Sequence, residues 1–374
     1  MTDKTGFVVT PWEVSGKIDY NNLIKQFGTV RINDVLIKRI EKHTGPAHFM
    51  LRRGMFFSHR DLNWLLDKYE KKEKFYLYTG RGPSGRMHLG HLMPFVFTKW
   101  LQDKFKAKLV IQMTDDEKFM FRQDLELEQT TNQALSDALD IIALGFKPKN
   151  TEILIDTFYS KTLYNNAIRV AKKITFSTIK AVFGFNNSTN IGSIFYTSFQ
   201  AVPAFLESVR QGKNVPCLIP HGIDQDPHFR VSRDVMPKLG YYKPAAIHNV
   251  LMPGLKEGGK MSSSDPSSAI YTTDSAKEVK KKIGSAFSGG RDTVKEHREK
   301  GGNPDVDMSY QLLNFLFEPD DKKLKEIYES YKNGDMLSGE LKAIAIEKVN
   351  SYLANHQKER VKAKKVLEKF LLRD

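Results

Sequence analysis

Residues 75–91 read FYLYTGRGPSGRMHLGH, and this stretch decides the fold class. Its first five residues, 75–79, are aromatic, apolar or β-branched, as in a buried strand. A turn rich in glycine and proline follows, and from Leu89 onward apolar residues recur at helical spacing. A strand, a glycine-rich turn and a helix in this order are typical of the nucleotide-binding start of a doubly wound α/β sheet.

Strands and helices alternate after this stretch. Strands are predicted over residues 109–112, 152–155, 216–219 and 246–251, and helices over residues 130–144 and 161–182. Because strands that alternate with helices form parallel sheets, the fold class is α/β with a doubly wound, Rossmann-like parallel sheet. From about residue 273 the strands stop and charged amphipathic helices continue to Asp374, which predicts a second, all-helical domain.

The composition is that of a water-soluble protein with an excess of positive charge. The chain has 374 residues, enough for about two domains, and 58 Lys and Arg against 44 Asp and Glu give a net charge of +14. Such an excess attracts nucleic acids, although it is equally compatible with an uninvolved basic surface. No apolar run approaches the ~20 residues of a membrane-spanning helix, and no secretory signal is expected. Since Cys217 is the only cysteine, an intramolecular disulfide is excluded and a reduced cytosolic location is expected.

His88 and His91 lie three residues apart at the predicted start of a helix, and therefore on one face of it. Free backbone N–H groups and the positive end of the helix dipole face the same place. Two imidazole donors there could hold phosphates during an in-line displacement, and Gly90 would let a flat base lie against the backbone. The alternative is a glycine-rich turn with two surface histidines, and His-x-Gly-His also occurs in other nucleotidylyl transferases.

A second segment, GGKMSSSDP at residues 258–266, has the composition of a mobile loop that closes over a ligand. The ammonium of Lys260, with nearby hydroxyl and N–H groups, would suit a pyrophosphate leaving group. Such a loop can also be a solvated connector. Because it follows His-x-Gly-His by some 170 residues and comes after the last predicted strand, we expect His88, His91 and Lys260 to converge on one triphosphate.

Together these segments resemble the two signatures of the class I aminoacyl-tRNA synthetases, HLGH at residues 88–91 and KMSSS at residues 260–264. The surrounding sequence is similar to the eukaryotic and archaeal tryptophanyl-tRNA synthetases over nearly the whole chain from about Pro11. The phrases that carry this similarity lie at residues 78–84, 111–118, 223–227 and 286–291. Two departures are visible: Ser263 replaces the second lysine of the general class I loop, and the turn before His88, around Gly85 and Arg86, is one residue shorter than in animal members.

The resemblance implies a role for each matching residue. Tyr78 and Gln112 would face the indole of tryptophan, and an oxygen of each can accept its single N–H. Glu117, Gln200 and Gln225 become candidates for binding the ammonium and carboxylate of the amino acid. His88, His91 and Lys260 would be catalytic. The implied ATP-binding residues are Arg81, Gly82, His88, Gly90, His91, Lys260, Met261, Ser262 and Ser263.

The resemblance also implies cofactors and partners. ATP would be a substrate that brings Mg²⁺ on its phosphates, and the chain itself is expected to hold no metal. The acidic run 115–117 is instead interpreted as charge that favours the start of a helix. L-tryptophan and tRNA(Trp) would be the other substrates, and the family works as a homodimer in the cytoplasm. Lys280–Lys282 and residues 360–365 are candidates for contact with tRNA, although charge runs are often solvated helix faces.

The predicted domains follow from pattern and resemblance together. Residues 1–74 form an N-terminal extension packed on the catalytic core, residues 75–272 the catalytic domain, and residues 273–374 the helical domain that binds the tRNA anticodon. An insertion at about residues 158–215 would be a dimerisation or connective segment. Within the extension, Ser58 is predicted to cap the helix that follows it, because adjacent residues such as Ser58 and His59 cannot form a hydrolase triad in line.

Three other functions stay open at this point. A tyrosine-specific enzyme on the same scaffold would usually place an acidic partner at the phenol, where this chain has Gln112. A small-molecule nucleotidylyl transferase would share His-x-Gly-His, but it does not need a long basic helical domain. A binding or signalling protein derived from a synthetase would not need His88, His91 and Lys260 intact.

Overall fold

The computed structural model describes residues 8–9, 14–16, 18–263 and 265–374. Ser264 of the predicted loop lies outside the described residues, as do Pro11 and most of the first 17 residues of the predicted extension. The chain forms two compact units. The first comprises Met1–Ser84, Pro94–Val250 and Ala363–Asp374, and the second comprises Gly85–Met93 and Leu251–Lys362. The domain boundaries predicted at residues 74 and 272 stay predictions.

The described strands belong to two sheets. They are β1 (Val8–Val9), β2 (Val14–Ser15), β3 (Val30–Arg31), β4 (Phe56–Arg60), β5 (Tyr76–Arg81), β6 (Lys108–Met113), β7 (Thr151–Ile155), β8 (Cys217–Gly222) and β9 (Ala245–Asn249). A hairpin pairs β1 with β2, and the other seven strands form one sheet in the order β3-β4-β9-β8-β5-β6-β7. The five strands from β9 to β7 are parallel to their neighbours in this row, which confirms the predicted fold class.

The helices that accompany this sheet fall between its strands. They are α1 (Tyr20–Phe27), α2 (Asp34–Thr44), α3 (Phe49–Arg52), α4 (Leu62–Glu70), α5 (Leu89–Phe105), α6 (Asp115–Phe121), α7 (Leu127–Ile142), α8 (Ser160–Ala171), α9 (Phe176–Phe183), α10 (Ile191–Phe199), α11 (Leu206–Gln211) and α12 (Asp226–Val235). Apart from the exposed edge strand β3, the strands of the sheet are buried almost throughout, with β9 buried at all five positions and β5 at five of six. Such apolar strands are typical of parallel sheets covered by helices.

The order in which strands are added to the sheet reverses beside β5. From β5 the chain adds β6 and β7 on one side, and then returns to add β8 and β9 on the other. Thr79 Oγ1 donates to the carbonyl of Pro220 at 2.8 Å, between β5 and β8. In doubly wound sheets ligands bind at the carboxyl ends of the strands at such a switch point, so the fold directs attention to the ends of β5 and its neighbours.

The structure corrects three details of the prediction. Two antiparallel strands, β3 and β4, extend the sheet beyond β9, and neither was predicted. The helix predicted over 161–182 is two helices, because α8 ends at Ala171 and Thr175 caps α9 by accepting from the backbone N–H of Thr178. Ser58 does not cap a helix, since it lies within β4 and bonds to His248.

The second unit is helical in the part after the sheet. Its helices are α13 (Ala276–Gly284), α14 (Val294–Lys300), α15 (Met308–Leu312), α16 (Asp321–Lys332) and α17 (Ser338–Ala363). A capping box starts α13, in which Ser275 and Glu278 each accept a backbone N–H of the other. The predicted change from strands to helices near residue 273 is confirmed. No helix among the described residues is long and apolar enough to cross a membrane.

Candidate active site

Tyr78 and Gln112 meet on the central strands of the sheet. They lie on the adjacent parallel strands β5 and β6 and are fully buried. The hydroxyl of Tyr78 donates to Gln112 Oε1 at 2.5 Å. The hydroxyl of Tyr78 also accepts from Gln200 Nε2 at 2.9 Å, and Gln200 Oε1 accepts from the hydroxyl of Tyr196. The structure thus brings together three residues that the sequence selected separately.

Burial keeps the phenol of Tyr78 protonated. It raises the pKa of Tyr78 well above its usual value, and the nearby Asp156 carboxyl acts in the same direction. A neutral phenol retains its proton for Gln112 and its oxygen lone pairs for incoming donors. The pair is therefore suited to recognise a neutral donor rather than a charged group.

Two carboxyl groups that the sequence analysis did not assign to the site lie behind Gln112. Gln112 Nε2 donates to both oxygens of Asp156, which follows β7 directly. Asp156 in turn is hydrogen-bonded to Asp116 in the first turn of α6. The available signal was an aspartate directly after a buried strand, a position at which parallel sheets often carry functional groups. We call Tyr78, Gln112, Asp116 and Asp156 the pocket cluster.

Glu117 and Lys118 form an ion pair on α6. Lys118 Nζ lies 2.9 Å from one carboxylate oxygen of Glu117, and the hydroxyl of Thr114 donates to the other at 2.6 Å. Burial raises the pKa of Glu117, but Lys118 and Thr114 outweigh it and the pKa is lower than usual. Glu117 therefore stays ionised and could attract an ammonium group.

The turn after β5 is shaped by this lysine. A Cβ atom at Gly82 would lie 2.1 Å from Lys118 Cε, so any other residue here would force the end of the lysine side chain to move. The neighbouring Arg81 is buried and its Nε donates to the carboxylate of Asp137 on α7. The Arg81 side chain is thus engaged within the protein, and contact with a nucleotide would fall to the backbone of the turn.

Gln225, the remaining candidate for the amino-acid ligand, lies just after β8, the strand that neighbours β5. It ends a short 3₁₀ helix, Ile223–Gln225, directly before α12. Its amide nitrogen donates to Asp224 Oδ2 at 3.1 Å.

His88 and His91 stand together in the second unit. Their ring centroids are 3.5 Å apart with an interplanar angle of 24°, and the backbone N–H of His88 donates to His91 Nδ1 at 3.3 Å. A Cβ atom at Gly90 would lie 3.2 Å from the His88 ring and 3.5 Å from Met261 Cβ. The glycine therefore leaves room between the histidines and the second sequence segment.

The loop that carries Lys260 is folded back on itself. Lys260 pairs with Pro253 across a β-bridge, and the backbone N–H of Met261 donates to the carbonyl of Met252 at 3.3 Å. Met261 is buried beside Gly90 and Lys260 is half-buried. Ser263 Oγ donates to the carbonyl of Arg86 at 3.4 Å. The two signature segments thus lie side by side within one unit, as their convergence on a single ligand would require.

The first unit also contains a second cluster of polar residues, which we call the arginine cluster. It consists of Ser58, Arg60, Asp226 and His248. Arg60 donates to both carboxylate oxygens of Asp226 at 2.8 Å. His248 Nε2 lies 3.3 Å from Asp226 Oδ1, and its Nδ1 lies 2.9 Å from the hydroxyl of Ser58. Burial disfavours the charge on Asp226, but Arg60 and His248 lower its pKa below the usual value.

A metal ion is the alternative occupant of this cluster. One ligand atom each from His221, Asp226 and His248 lies within 4.8 Å of the others. Because Arg60 already supplies a cation to both oxygens of Asp226, a divalent ion would meet an occupied carboxylate and a like charge. We therefore assign a structural role to the cluster, which joins β4 to α12 and β9.

Comparisons with known proteins agree on one family. Residues 70–354 match the family model described as tRNA synthetases class I (W and Y). The tryptophan–tRNA ligase of Saccharolobus solfataricus is 51% identical over 366 residues, which cover 97% of this chain and 95% of that relative. The tryptophanyl-tRNA synthetase structure from Plasmodium falciparum superposes with a TM-score of 0.86 at 49% identity, covering 92% of this chain and 94% of the other. The structure from Encephalitozoon cuniculi, bound to tryptophan, superposes with a TM-score of 0.87 at 40% identity, covering 95% and 98%.

Proposed function

This chain belongs to the class I tRNA synthetases for tryptophan and tyrosine, and from that premise we propose that it is a ligase that joins L-tryptophan to tRNA(Trp) at the expense of ATP. The observation that carries the choice of tryptophan is the buried, hydrogen-bonded pair of Tyr78 and Gln112 on adjacent central strands. The high identity to tryptophan–tRNA ligases over 97% of the chain supports the same choice.

The pair suits an indole because it presents oxygen acceptors in a site without bulk water. An indole has one N–H donor, which an oxygen of Tyr78 or Gln112 can accept. Phenylalanine has no such donor and would leave these acceptors unpaired. Comparable sites discriminate against an analogue that lacks the hydrogen-bonding group by a factor of roughly 10⁴ to 10⁵ in kcat/KM. Glu117, ionised and half-buried, together with Gln200 and Gln225, is proposed for the ammonium and carboxylate of the substrate.

ATP is proposed to bind the residues that the resemblance implies for it. His88 and His91 would donate to phosphate oxygens, Gly90 would lie under the adenosine, and the loop residues Lys260–Ser263 would bind the pyrophosphate. Arg81 and Gly82 would contribute through the backbone of the turn. Mg²⁺ would arrive on the phosphates, which are its preferred ligands.

The reaction has two steps. The carboxylate of tryptophan attacks the α-phosphorus of ATP, pyrophosphate leaves, and tryptophanyl-adenylate forms. A ribose hydroxyl at the end of tRNA then attacks the carbonyl carbon of the adenylate, and AMP leaves. No protein nucleophile is needed, because positioning and stabilisation of developing charge account for the first step.

A homodimer is proposed from an exposed apolar surface on α8 and α10. Tyr164 and Ile168 on α8 are 52% and 42% exposed, and Ile191 on α10 is 82% exposed. Clusters of exposed apolar side chains mark interaction surfaces, and this one lies in the predicted dimerisation segment. We expect Ile191→Asp to shift the mass in solution toward that of one chain in light scattering, whereas Val35→Asp, equally exposed on α2, should not. An unchanged mass in Ile191→Asp would argue against this surface.

The helical part of the second unit is proposed to bind tRNA. Lys280 and Lys281 are exposed on α13, whereas Lys282 is tied to Asp274 at 2.6 Å and contributes less. At residues 360–365, Lys362 is exposed but pairs with Glu359 at 2.6 Å. Each phosphate contact that is lost should reduce the salt dependence of tRNA binding by about one unit of log–log slope. A role in protein synthesis and the single buried cysteine fit a cytoplasmic protein.

Amino-acid-dependent exchange of pyrophosphate into ATP tests the function directly. With each of the twenty amino acids in turn, only L-tryptophan should support rapid exchange. Exchange with tyrosine alone would move the chain to the tyrosine branch of the family. Exchange with none of them, in folded protein, would favour a binding protein derived from a synthetase, and exchange that needs no amino acid would favour another nucleotidylyl transferase.

A further inference from the structure

Asp156 holds the amide of Gln112 from behind. Gln112 Nε2 donates to Asp156 Oδ1 at 2.9 Å and to Asp156 Oδ2 at 3.0 Å. Asp156 directly follows β7, which pairs in parallel with β6 and places Leu154 opposite Gln112. Gln112 is fully buried and Asp156 is 1% exposed, so bulk water does not compete for this contact.

This contact determines which end of the amide faces Tyr78. A carboxyl oxygen attracts the amide nitrogen and repels the amide oxygen. The oxygen of Gln112 therefore points away from Asp156, where it accepts the hydroxyl proton of Tyr78. A rotated amide would bring oxygen against oxygen at Asp156 and would leave buried polar atoms unpaired, which is costly.

Asp116 allows the carboxyl group of Asp156 to be buried. Asp116 Oδ1 accepts from the backbone N–H of Glu117 at 2.7 Å, and its carboxyl group is hydrogen-bonded to Asp156. Burial raises the pKa of Asp116 to about 7, and burial together with Asp116 raises the pKa of Asp156. Both carboxyl groups are therefore protonated more readily than isolated aspartates, which reduces the charge that is buried.

The hydrogen bonds leave acceptors for a ligand. The hydroxyl proton of Tyr78 is donated to Gln112, and the amide protons of Gln112 are directed to Asp156. The Tyr78 oxygen accepts once, from Gln200, and the Gln112 oxygen accepts once, from Tyr78. Since a hydroxyl or amide oxygen has two lone pairs, each of these two oxygens can accept one further hydrogen bond.

We propose that Asp156, supported by Asp116, is a positioning residue that fixes Tyr78 and Gln112 as acceptors and thereby makes the pocket select a ring N–H. Asp156 acts through Gln112 and does not contact the substrate. The inference rests on the proposed function, because it assigns a specificity role within the proposed tryptophan pocket.

The test compares L-tryptophan with β-(3-benzothienyl)-L-alanine, in which sulfur replaces the ring N–H. The ratio of their kcat/KM values in pyrophosphate exchange measures how strongly the pocket selects the N–H group. Asp156→Asn should lower this ratio about 10- to 100-fold, because asparagine can donate to the amide oxygen as well as accept from the nitrogen, and Gln112 is free to rotate. A merely structural role would lower both kcat/KM values and leave the ratio unchanged.

Two substitutions at position 116 distinguish a loss of the Gln112 amide orientation from a general disturbance of the site. Asp116→Asn should keep the ratio, because the asparagine nitrogen can donate to Asp156 while its oxygen still accepts from the N–H of Glu117. Asp116→Ala should lower the ratio, because Asp156 then loses its hydrogen-bonded partner. If Asp156→Asn does not fold in thermal unfolding measurements, Asp116→Ala decides, and an unchanged ratio in that variant would overturn the proposal.

Asp115→Asn is the matched control. Asp115 is fully buried on the same helix, but it accepts from the side chains of Thr131 and Thr157 and not from Gln112. Its ratio should match the wild type, whatever its rate. A ratio unchanged in Asp156→Asn, or lowered equally in Asp115→Asn, would overturn the proposal, whereas wild-type protein inactive with tryptophan would overturn the proposed function instead.

Discussion

The pocket cluster and the arginine cluster are equally buried on one sheet, yet their carboxyl groups are satisfied in opposite ways. Asp226 faces the permanent cation of Arg60, and its pKa is lower than usual. Asp156 faces a second carboxyl group and the amide of Gln112, and its pKa is higher than usual. In the arginine cluster the carboxylate is neutralised within the protein. In the pocket cluster, oxygen lone pairs remain for a ligand. Remaining hydrogen-bonding capacity, and not buried polarity itself, distinguishes the candidate site.

The largest expected effect is the loss of stability when the arginine cluster loses its cation. Arg60→Leu removes one partner of a buried ion pair and should lower the free energy of unfolding by about 3–5 kcal/mol, as measured by urea denaturation. The kcat/KM for tryptophan in the folded fraction should change little. Arg39→Leu, which removes the more exposed pairs with Asp67 and Glu70, should cost far less, because solvent screens exposed ion pairs. A selective loss of tryptophan activation in Arg60→Leu would mean that both clusters serve the site.

The same contrast can be drawn between two cations, Arg60 and Lys260. Among the residues that the structure describes, no carboxylate is paired with Lys260, in contrast to Arg60. Lys260→Ala should slow adenylate formation about 10²- to 10³-fold, the effect of losing one preorganised donor, with tryptophan affinity nearly unchanged. Pre-steady-state formation of the adenylate is the measurement. Lys256→Ala, which removes the lysine paired with Asp265 on the same loop, is the control and should retain near-normal rates.

A conservative change at Tyr78 tests the pocket cluster itself. Tyr78→Phe removes one hydroxyl and should lower kcat/KM for tryptophan about 10- to 30-fold, chiefly through KM, because one hydrogen bond to a buried partner is lost. Tyr76→Phe removes an equally buried hydroxyl, which donates to the carbonyl of Pro203 at 2.7 Å. The control should lose comparable stability but keep its KM. Equal KM values in the two variants would remove Tyr78 from the pocket.

The smallest effect concerns pH. Asp116 has a raised pKa of about 7, so the folded state binds more protons than the unfolded state between about pH 4 and pH 7. Its contribution to stability is therefore lost as pH rises through this window. Asp116→Asn lacks that dependence, and its stability relative to the wild type should rise by about 1 kcal/mol between pH 5 and pH 6. Parallel urea denaturation curves at the two pH values check this, and a constant difference would argue against the raised pKa of Asp116.

Much of the sheet could be predicted from sequence because its central strands are continuous apolar segments bounded by turns. The stretch at residues 75–79 and the helix from Leu89 are examples, since their periodicity is local. The edge strand β3 escaped prediction because two residues at Val30–Arg31 have no period to detect, and β4 escaped because Phe56–Arg60 does not alternate apolar and polar residues. The prediction that Ser58 caps a helix was wrong because its partner, His248, lies 190 residues further along the chain and leaves no local pattern.

The candidate site was predictable as far as motif and resemblance reach. The sequence points to Tyr78, Gln112 and Gln200, and in the structure Tyr78 is hydrogen-bonded to both glutamines. Asp156 was missed because it is 44 residues from Gln112, and only the parallel pairing of β6 with β7 makes them neighbours. Asp116 was assigned to the helix dipole, which its position in the first turn of α6 supports, but its hydrogen bond to Asp156 is tertiary and leaves no local pattern.

The fixed orientation of Gln112 has a consequence for redesigning this enzyme to charge unnatural amino acids. Fluorinated or methylated tryptophans that keep the ring N–H need only space, so enlarging the pocket should admit them. Heterocycles with an oxygen or sulfur at that position meet the wrong polarity, and no enlargement corrects it while Asp156 orients the amide. For those substrates the first position to randomise is Asp156, which lies outside the surface that the substrate would touch.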